Sequence, residues 1–235
     1  MSSRGATPAA VETTLLVFAR APAPGRVKTR LVPLLGAREA ARLHARLVEA
    51  TLATAAAAGF ARLALCCAPD TRSAFFRRLR KRFKLRLLPQ GRGDLGERMY
   101  RALRRHPGAV LIGSDCPVLR AADLRAAARA LGEGADAVIA PAEDGGYALI
   151  GVRRAARGLF SGVRWGGAKV LEQTRARLRT LGWCWRELRT LWDVDRPEDF
   201  ARLLRARRRR ISSAARRRAR PSAGSRRRSG APRRT

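Results

Sequence analysis

Five polar segments of this 235-residue chain carry side chains able to do chemistry. In the first, Arg26, Lys28 and Arg30 alternate behind Gly25. Alternate residues of an extended segment point the same way, so three cations would face one ligand, as a clamp on phosphate requires. Gly25 would let the backbone approach closely. The GxxxxGK[ST] spacing of a Walker A is absent, and a solvated basic loop would look similar. Asp115 follows the apolar run Val110-Leu111-Ile112 after one Gly, one Ser. A hard cation such as Mg²⁺ or Mn²⁺ takes one or two carboxylates and completes its shell with phosphate oxygens and water. Pro117 and Val118 separate Asp115 from the next helical pattern, which weakens the alternative of a helix cap. Asp193 and Asp195 could offer a second carboxylate, but on spacing alone Asp195-x-x-Glu198 with Pro197 in the first turn reads as a capping box. Glu143-Asp144-Gly145-Gly146 has the composition of a tight turn and leads into Tyr147. Gln90-Gly91-Arg92-Gly93 is a glycine-rich loop.

These segments need elements to hold them, and the hydropathy pattern supplies strands that mostly alternate with helices. Strands are predicted at 14–19, 62–67, 84–88, 109–113, 137–140, 147–152 and 184–188. Helices are predicted at 36–58, 71–82, 94–105, 121–131, 168–181 and 196–206. Asp94-x-x-Glu97 opens the third helix as a capping box. Several strands are apolar on both faces, which implies an α/β protein with a mixed, mostly parallel sheet and helices on both sides. In such sheets ligands gather outside the carboxyl ends of the strands, and the five polar segments all stand there.

Composition bounds the function. The chain has 51 Lys+Arg against 18 Asp+Glu, a net charge of +33. Fourteen Arg and no acid lie from Arg205 to the end, leaving +19 over residues 1–204. Only four basic residues are Lys, a ratio that matches GC-rich codon usage, so part of the charge is compositional. The excess implies attraction to polyanions or phosphorylated small molecules. Residues 1–13 are expected to be a flexible start and 207–235 a disordered Arg-rich tail that binds polyanions non-specifically, around a domain at 14–206. The longest early apolar run, Leu15 to Ala19, is far too short for a membrane span or signal segment, so a cytoplasmic protein is expected. Cys66, Cys67, Cys116 and Cys184 have no metal-ligand spacing and are read as reduced packing residues. His44 and His106 are read as structural or solvated, and Trp183 and Trp185 as core.

The segment from Val17 to Leu31, with Ala21-Pro22-Ala23-Pro24-Gly25-Arg26-Val27-Lys28-Thr29-Arg30 at its centre, resembles the opening signature of a bacterial glycosyltransferase-A-like family. Some of its members are described as arsenosugar-biosynthesis-type glycosyltransferases. Blocks at 93–99, 111–117, 141–147 and 193–199 resemble its later motifs, in order, so the resemblance spans about residues 14–204. It implies the Rossmann-like fold of nucleotide-diphospho-sugar transferases (GT-A), related to molybdenum-cofactor and phospholactate guanylyltransferases. By the same resemblance Asp115 and Asp195 would hold Mg²⁺ or Mn²⁺, which raises Asp195 from a cap to a ligand. Gly25, Arg26, Lys28 and Arg30, with Gln90 and Gly91, would bind nucleotide and phosphate. Asp144, Gly145, Gly146 and Tyr147 would face the sugar or acceptor. Asp115, Asp144 and Lys28 would act in catalysis. Two departures stand out: the family's hydroxyl residues after Trp165 are Gly166, Gly167 and Ala168 here, and its Thr before Pro197 is Arg196.

The expected activity is metal-dependent glycosyl transfer from a nucleotide-diphosphate sugar to a small-molecule acceptor. One alternative is nucleotidyl transfer of the guanylyltransferase kind with release of pyrophosphate. The other is a nucleic-acid-binding protein on a retired transferase scaffold, which the lack of interleaved aromatic residues disfavours.

Overall fold

A computed structural model describes residues 11–218 of the chain. The elements follow in the order β1 (Val11–Arg20), α1 (Val32–Ala57), β2 (Phe60–Ala68), α2 (Ala74–Phe83), β3 (Arg86–Pro89), α3 (Leu95–Arg105), β4 (Val110–Ile112), α4 (Ala121–Gly132), β5 (Ala137–Pro141), β6 (Tyr147–Val152), α5 (Arg157–Phe160), α6 (Val170–Thr180), β7 (Trp185–Glu187) and α7 (Pro197–Arg218). The seven strands form one sheet in the order β3-β2-β1-β4-β6-β5-β7. All neighbours are parallel except β6, which runs antiparallel to both β4 and β5. The reversal follows from the short turn at 142–146, because a turn of that length can only return an antiparallel strand.

The pleat divides β1 between two apolar layers. Leu15, Val17 and Ala19 pack with Val48 and Leu52 of α1, Phe76 of α2 and Leu124 of α4. Leu16 and Phe18 pack on the other side with Met99 and Leu103 of α3, Phe160 of α5 and Leu178 of α6. Adjacent Cys67 and Cys66 fall in opposite layers, as a strand requires. Burial pushes both thiols up to about 12, so neither is a nucleophile at neutral pH. A third cluster joins Leu43 and Leu47 of α1 to Trp192, Val194 and Leu203. This cluster anchors the 193–195 segment and the start of α7.

Several expectations need correction. The start was expected to be flexible through residue 13, but β1 begins at Val11, whose backbone pairs with Phe60. A disordered tail was expected from 207, but α7 runs to Arg218. Its Ala, Leu and Arg content favours helix, and no Pro or Gly follows Pro197 until Pro221. Residues 1–10 and 219–235, the rest of those two segments, lie outside the described residues. The short α5 had no sequence signal. The helix expected from Gly36 starts earlier, at Val32, and Gly36, with φ 75°, kinks it. All four cysteines are free, and Cys184 is exposed rather than packed. Among the described residues no helix is long and apolar enough to cross a membrane.

Candidate functional site

The first loop does not stay extended. Gly25 has φ 72°, and the amide of Arg26 bonds back to the carbonyl of Ala23. Lys28 then adopts a left-handed conformation and leads into a single 3-10 turn at Thr29–Leu31. The expectation that Arg26, Lys28 and Arg30 share one face therefore fails, because a Pro- and Gly-punctuated turn has no strand period. Lys28 turns under and is buried. Arg26 stays exposed, and Arg30 pairs with Asp195.

Asp115 stands just beyond β4, beside the end of β1. Its Oδ1 is fully buried and lies 2.8 Å from the ammonium of Lys28. The side chain as a whole is 40% exposed, so the rest of the carboxylate meets the cavity. Burial alone would raise this pKa, but the charge of Lys28 and the His44 imidazole outweigh it and hold the carboxyl at about 2. His44 is buried on α1 and bridges two loops. Its Nε2 lies 3.0 Å from the carbonyl of Arg20, and its Nδ1 lies 3.6 Å from Asp115 Oδ1. A carbonyl oxygen only accepts, so Nε2 is the donor. No local spacing pairs His44 with a partner, because its partners come from other elements.

These residues open on one cavity of about 380 Å³, lined by Arg20, Arg26, Lys28, His44, Gln90, Asp115 and Asp195 among others. Arg20 and Arg26 are exposed and form no ion pair among the described residues. Arg20 was not singled out from the sequence, since the last residue of a strand carries no motif of its own. Gln90 is drawn over the ends of β1 and β2: its Nε2 donates to the carbonyls of Ala19 at 3.2 Å and Cys66 at 2.8 Å. Gly25 and Gly91, with φ 72° and 80°, shape the adjoining turns but do not line the cavity.

Asp195 reaches this cavity because the amide of Val194 bonds to the carbonyl of Asp115 at 2.9 Å. The cap of α7 is not the one expected. Asp199 accepts from the amides of Asp195 and Arg196, which leaves the Asp195 carboxylate free to pair with Arg30.

A second cavity, of about 360 Å³, shares Asp195 with the first and adds Arg30, Glu143, Asp144, Asp193, Gly166 and Ala168. Asp144 Oδ1 accepts from the amide of Gly146 at 2.9 Å. Glu143 is held by Arg202 of α7 at 3.1 Å, and Arg202 stacks over Trp192. Burial, with the neighbouring carboxylate of Asp144, pushes Asp193 up to about 6. Gly145 sits so close to Ala168 that a Cβ would lie 1.9 Å from its carbonyl oxygen. Tyr147 does not line this cavity: its ring meets Trp165 edge-on and its hydroxyl reaches Met99 Sδ at 3.9 Å. As the first residue of β6, it follows the pleat into the core. Gly146 also stays off the cavity wall.

Among the described residues no three His, Cys, Asp or Glu side chains converge as a metal cluster, so a closed all-protein site does not fit. Two carboxylates on one cavity wall do fit a hard cation that takes its remaining ligands from phosphate and water.

A family described as an uncharacterized protein conserved in bacteria (DUF2064) matches residues 51–167. A solved structure from Desulfovibrio desulfuricans G20, named as a candidate nucleotide-diphospho-sugar transferase, is 32% identical with a TM-score of 0.72, over 79% of this chain and 83% of that one. A Mycobacterium tuberculosis H37Rv protein is 24% identical with a TM-score of 0.53, over 83% and 98% of the two chains. A 4-diphosphocytidyl-2C-methyl-D-erythritol synthase from Anaerococcus prevotii is 11% identical with a TM-score of 0.53, over 80% and 93%. These last two share the fold. No curated protein matches the sequence.

Proposed function

Because the chain belongs to this bacterial family (DUF2064), with the fold of nucleotide-diphospho-sugar transferases, we propose that it is a metal-dependent transferase that moves a sugar from a nucleotide-diphosphate donor to a small hydroxyl acceptor. One observation carries the reading. Arg20 and Arg26, without an ion-pair partner among the described residues, share a cavity with Asp115 and Asp195 at the carboxyl edge of the sheet, which suits a diphosphate bound with a hard cation.

The chemical problem is negative charge growing on the leaving diphosphate. Mg²⁺ or Mn²⁺ held by Asp115 and Asp195 would supply Lewis-acid neutralisation of that charge. Arg20 and Arg26 bind the phosphate oxygens and add fixed positive charge where it develops. Lys28 and His44 keep Asp115 ionised and aimed at the cavity. In the second cavity Asp144, with Asp193 beside it, accepts the proton of the acceptor hydroxyl. The new bond forms at the anomeric carbon while the bond from that carbon to the diphosphate breaks, and the nucleoside diphosphate leaves.

Nucleotidyl transfer is the second reading. Gly166 and Ala168 leave the second cavity without the hydroxyl contacts that the family resemblance implies for its other side, and the cation wall would serve a triphosphate equally. A thermal-shift screen of nucleotides and nucleotide sugars, with and without Mg²⁺, identifies the ligand first. One present at a hundred times its dissociation constant stabilises by about 2.7 kcal/mol. Product analysis then separates the readings: free nucleoside diphosphate marks glycosyl transfer and pyrophosphate marks nucleotidyl transfer. No metal-dependent shift with any nucleotide would sink both.

A further inference from the structure

We infer that the Gln90–Leu95 corner of the first cavity selects a nucleobase carrying an exocyclic amino group, as in cytosine, adenine or guanine, over one presenting a carbonyl there, as in uracil. The inference rests on the nucleotide reading of the cavity and narrows it to a substrate class.

Two independent features carry it. The first is the locked amide of Gln90. Both carbonyls within reach of its Nε2, those of Ala19 and Cys66, are obligate acceptors, so the NH₂ must face them and cannot flip. The backbone of Gln90 is fixed as well, its amide donating to the carbonyl of Cys67 at 3.0 Å. The Oε1 is thereby turned away from the sheet. Nothing among the described residues donates to it, and it is not one of the buried atoms without a partner, so it opens on the cavity that Gln90 lines. An acceptor held this way accepts from an amino group and repels a carbonyl oxygen.

The second feature is apolar. Leu95, the first residue of α3, is 44% exposed, one of three large hydrophobic side chains so exposed among the described residues. It lines the same cavity, as does Phe18. An exposed apolar side chain beside a fixed acceptor suits a flat heterocycle, with its face on Leu95 and its edge on Gln90. The strand order sets the polarity of the cavity. Gln90 follows β3, at one edge of the sheet, whereas Asp115 follows β4, beyond β1, so base and diphosphate take opposite ends.

The test is calorimetric titration of the full chain in Mg²⁺ with CDP, UDP, ADP, GDP and IDP, and with pyrophosphate as a probe without a base. The expected result is that at least one amino-bearing diphosphate binds about tenfold or more tightly than the counterpart that lacks its amino group (CDP against UDP, ADP or GDP against IDP). In Gln90→Met that ratio should fall to within about threefold, with pyrophosphate binding unchanged. The wild-type ratios stand by themselves if the variant does not fold. UDP and IDP binding as tightly as every amino-bearing partner overturns the inference and leaves the diphosphate site intact. Binding of none of the nucleotides and no pyrophosphate brings down the inference together with the proposed function.

Discussion

Lys28 places its ammonium 2.8 Å from Asp115 Oδ1, with its own side chain only 4% exposed. The cavity floor is thus a carboxylate braced from below by a buried cation. Asp115→Asn removes the charge that faces the ligand and strands Lys28. Turnover should fall about a hundredfold or more, the scale of losing a metal anchor worth several kcal/mol. Stability should fall by about 1–3 kcal/mol, less than a fully buried pair would lose because Asp115 is partly exposed. Adding Lys28→Met should restore most of the stability and none of the turnover. Calorimetric melting and product formation on the single and double variants check both halves.

Arg20 and Arg26 are exposed and have no ion-pair partner among the described residues, so their removal costs the fold little. Each change to Ala should leave the melting temperature within about 1 °C and weaken nucleoside-diphosphate binding about tenfold, the value of one charge-assisted hydrogen bond. Titration calorimetry measures both affinities. Unchanged affinity in both variants would show that the diphosphate lies elsewhere.

His44 links the Arg20 carbonyl to Asp115. His44→Phe keeps the ring volume but leaves that carbonyl without its donor. A loss of about 1–3 kcal/mol is expected, with lower turnover. His44→Gln, which keeps a donor, should recover part of both. His44→Phe outperforming His44→Gln would mean that the ring, and not its N–H, matters.

Asp123 contributes to the acid dependence of the fold. It accepts from the Arg120 amide at 2.8 Å and pairs bidentately with Arg189 at 2.7 and 2.8 Å. Burial would raise its pKa, but the Arg189 and Arg120 hydrogen bonds prevail and lower it. A folded pKa below the unfolded one gives stability that is present above the ordinary carboxylate range and lost as pH falls through the lowered value. Asp123→Asn should cost about 1–2 kcal/mol at pH 7, and the gap from the parent should close on acidification. Melting curves from pH 7 to pH 3 follow it.

Gly145 has φ 87° and no room for a Cβ beside Ala168. Gly145→Ala should destabilise by about 3 kcal/mol or more, or displace the start of α6 and reshape the second cavity. Gly25 also has positive φ but nothing within 4 Å of its missing Cβ, so Gly25→Ala should cost only about 1 kcal/mol. Similar losses at both sites would refute the steric account.

What the sequence determined by itself was local. The apolar runs set the order of strands and helices. Asp94 caps α3 by accepting from the Glu97 amide at 2.8 Å, as its spacing implied. Cys66 and Cys67 part to opposite layers because a strand alternates. An acid just after β4 has to stand at the carboxyl edge of a parallel sheet, which is why Asp115 was legible. Everything that depends on which loops meet was decided by the tertiary structure. Lys28 goes under the cavity because Gly25 and a left-handed turn reverse the loop. His44 becomes a bridge only when α1 packs behind β1 and β4. Asp195 joins Asp115 through the Val194 amide, while Asp199 takes over the cap. Tyr147 leaves the acceptor side because the pleat of β6 turns it inward. Periodicity and caps act over a few residues, so sequence spacing encodes them. Contacts between loop ends depend on the sheet order β3-β2-β1-β4-β6-β5-β7, which no local pattern specifies.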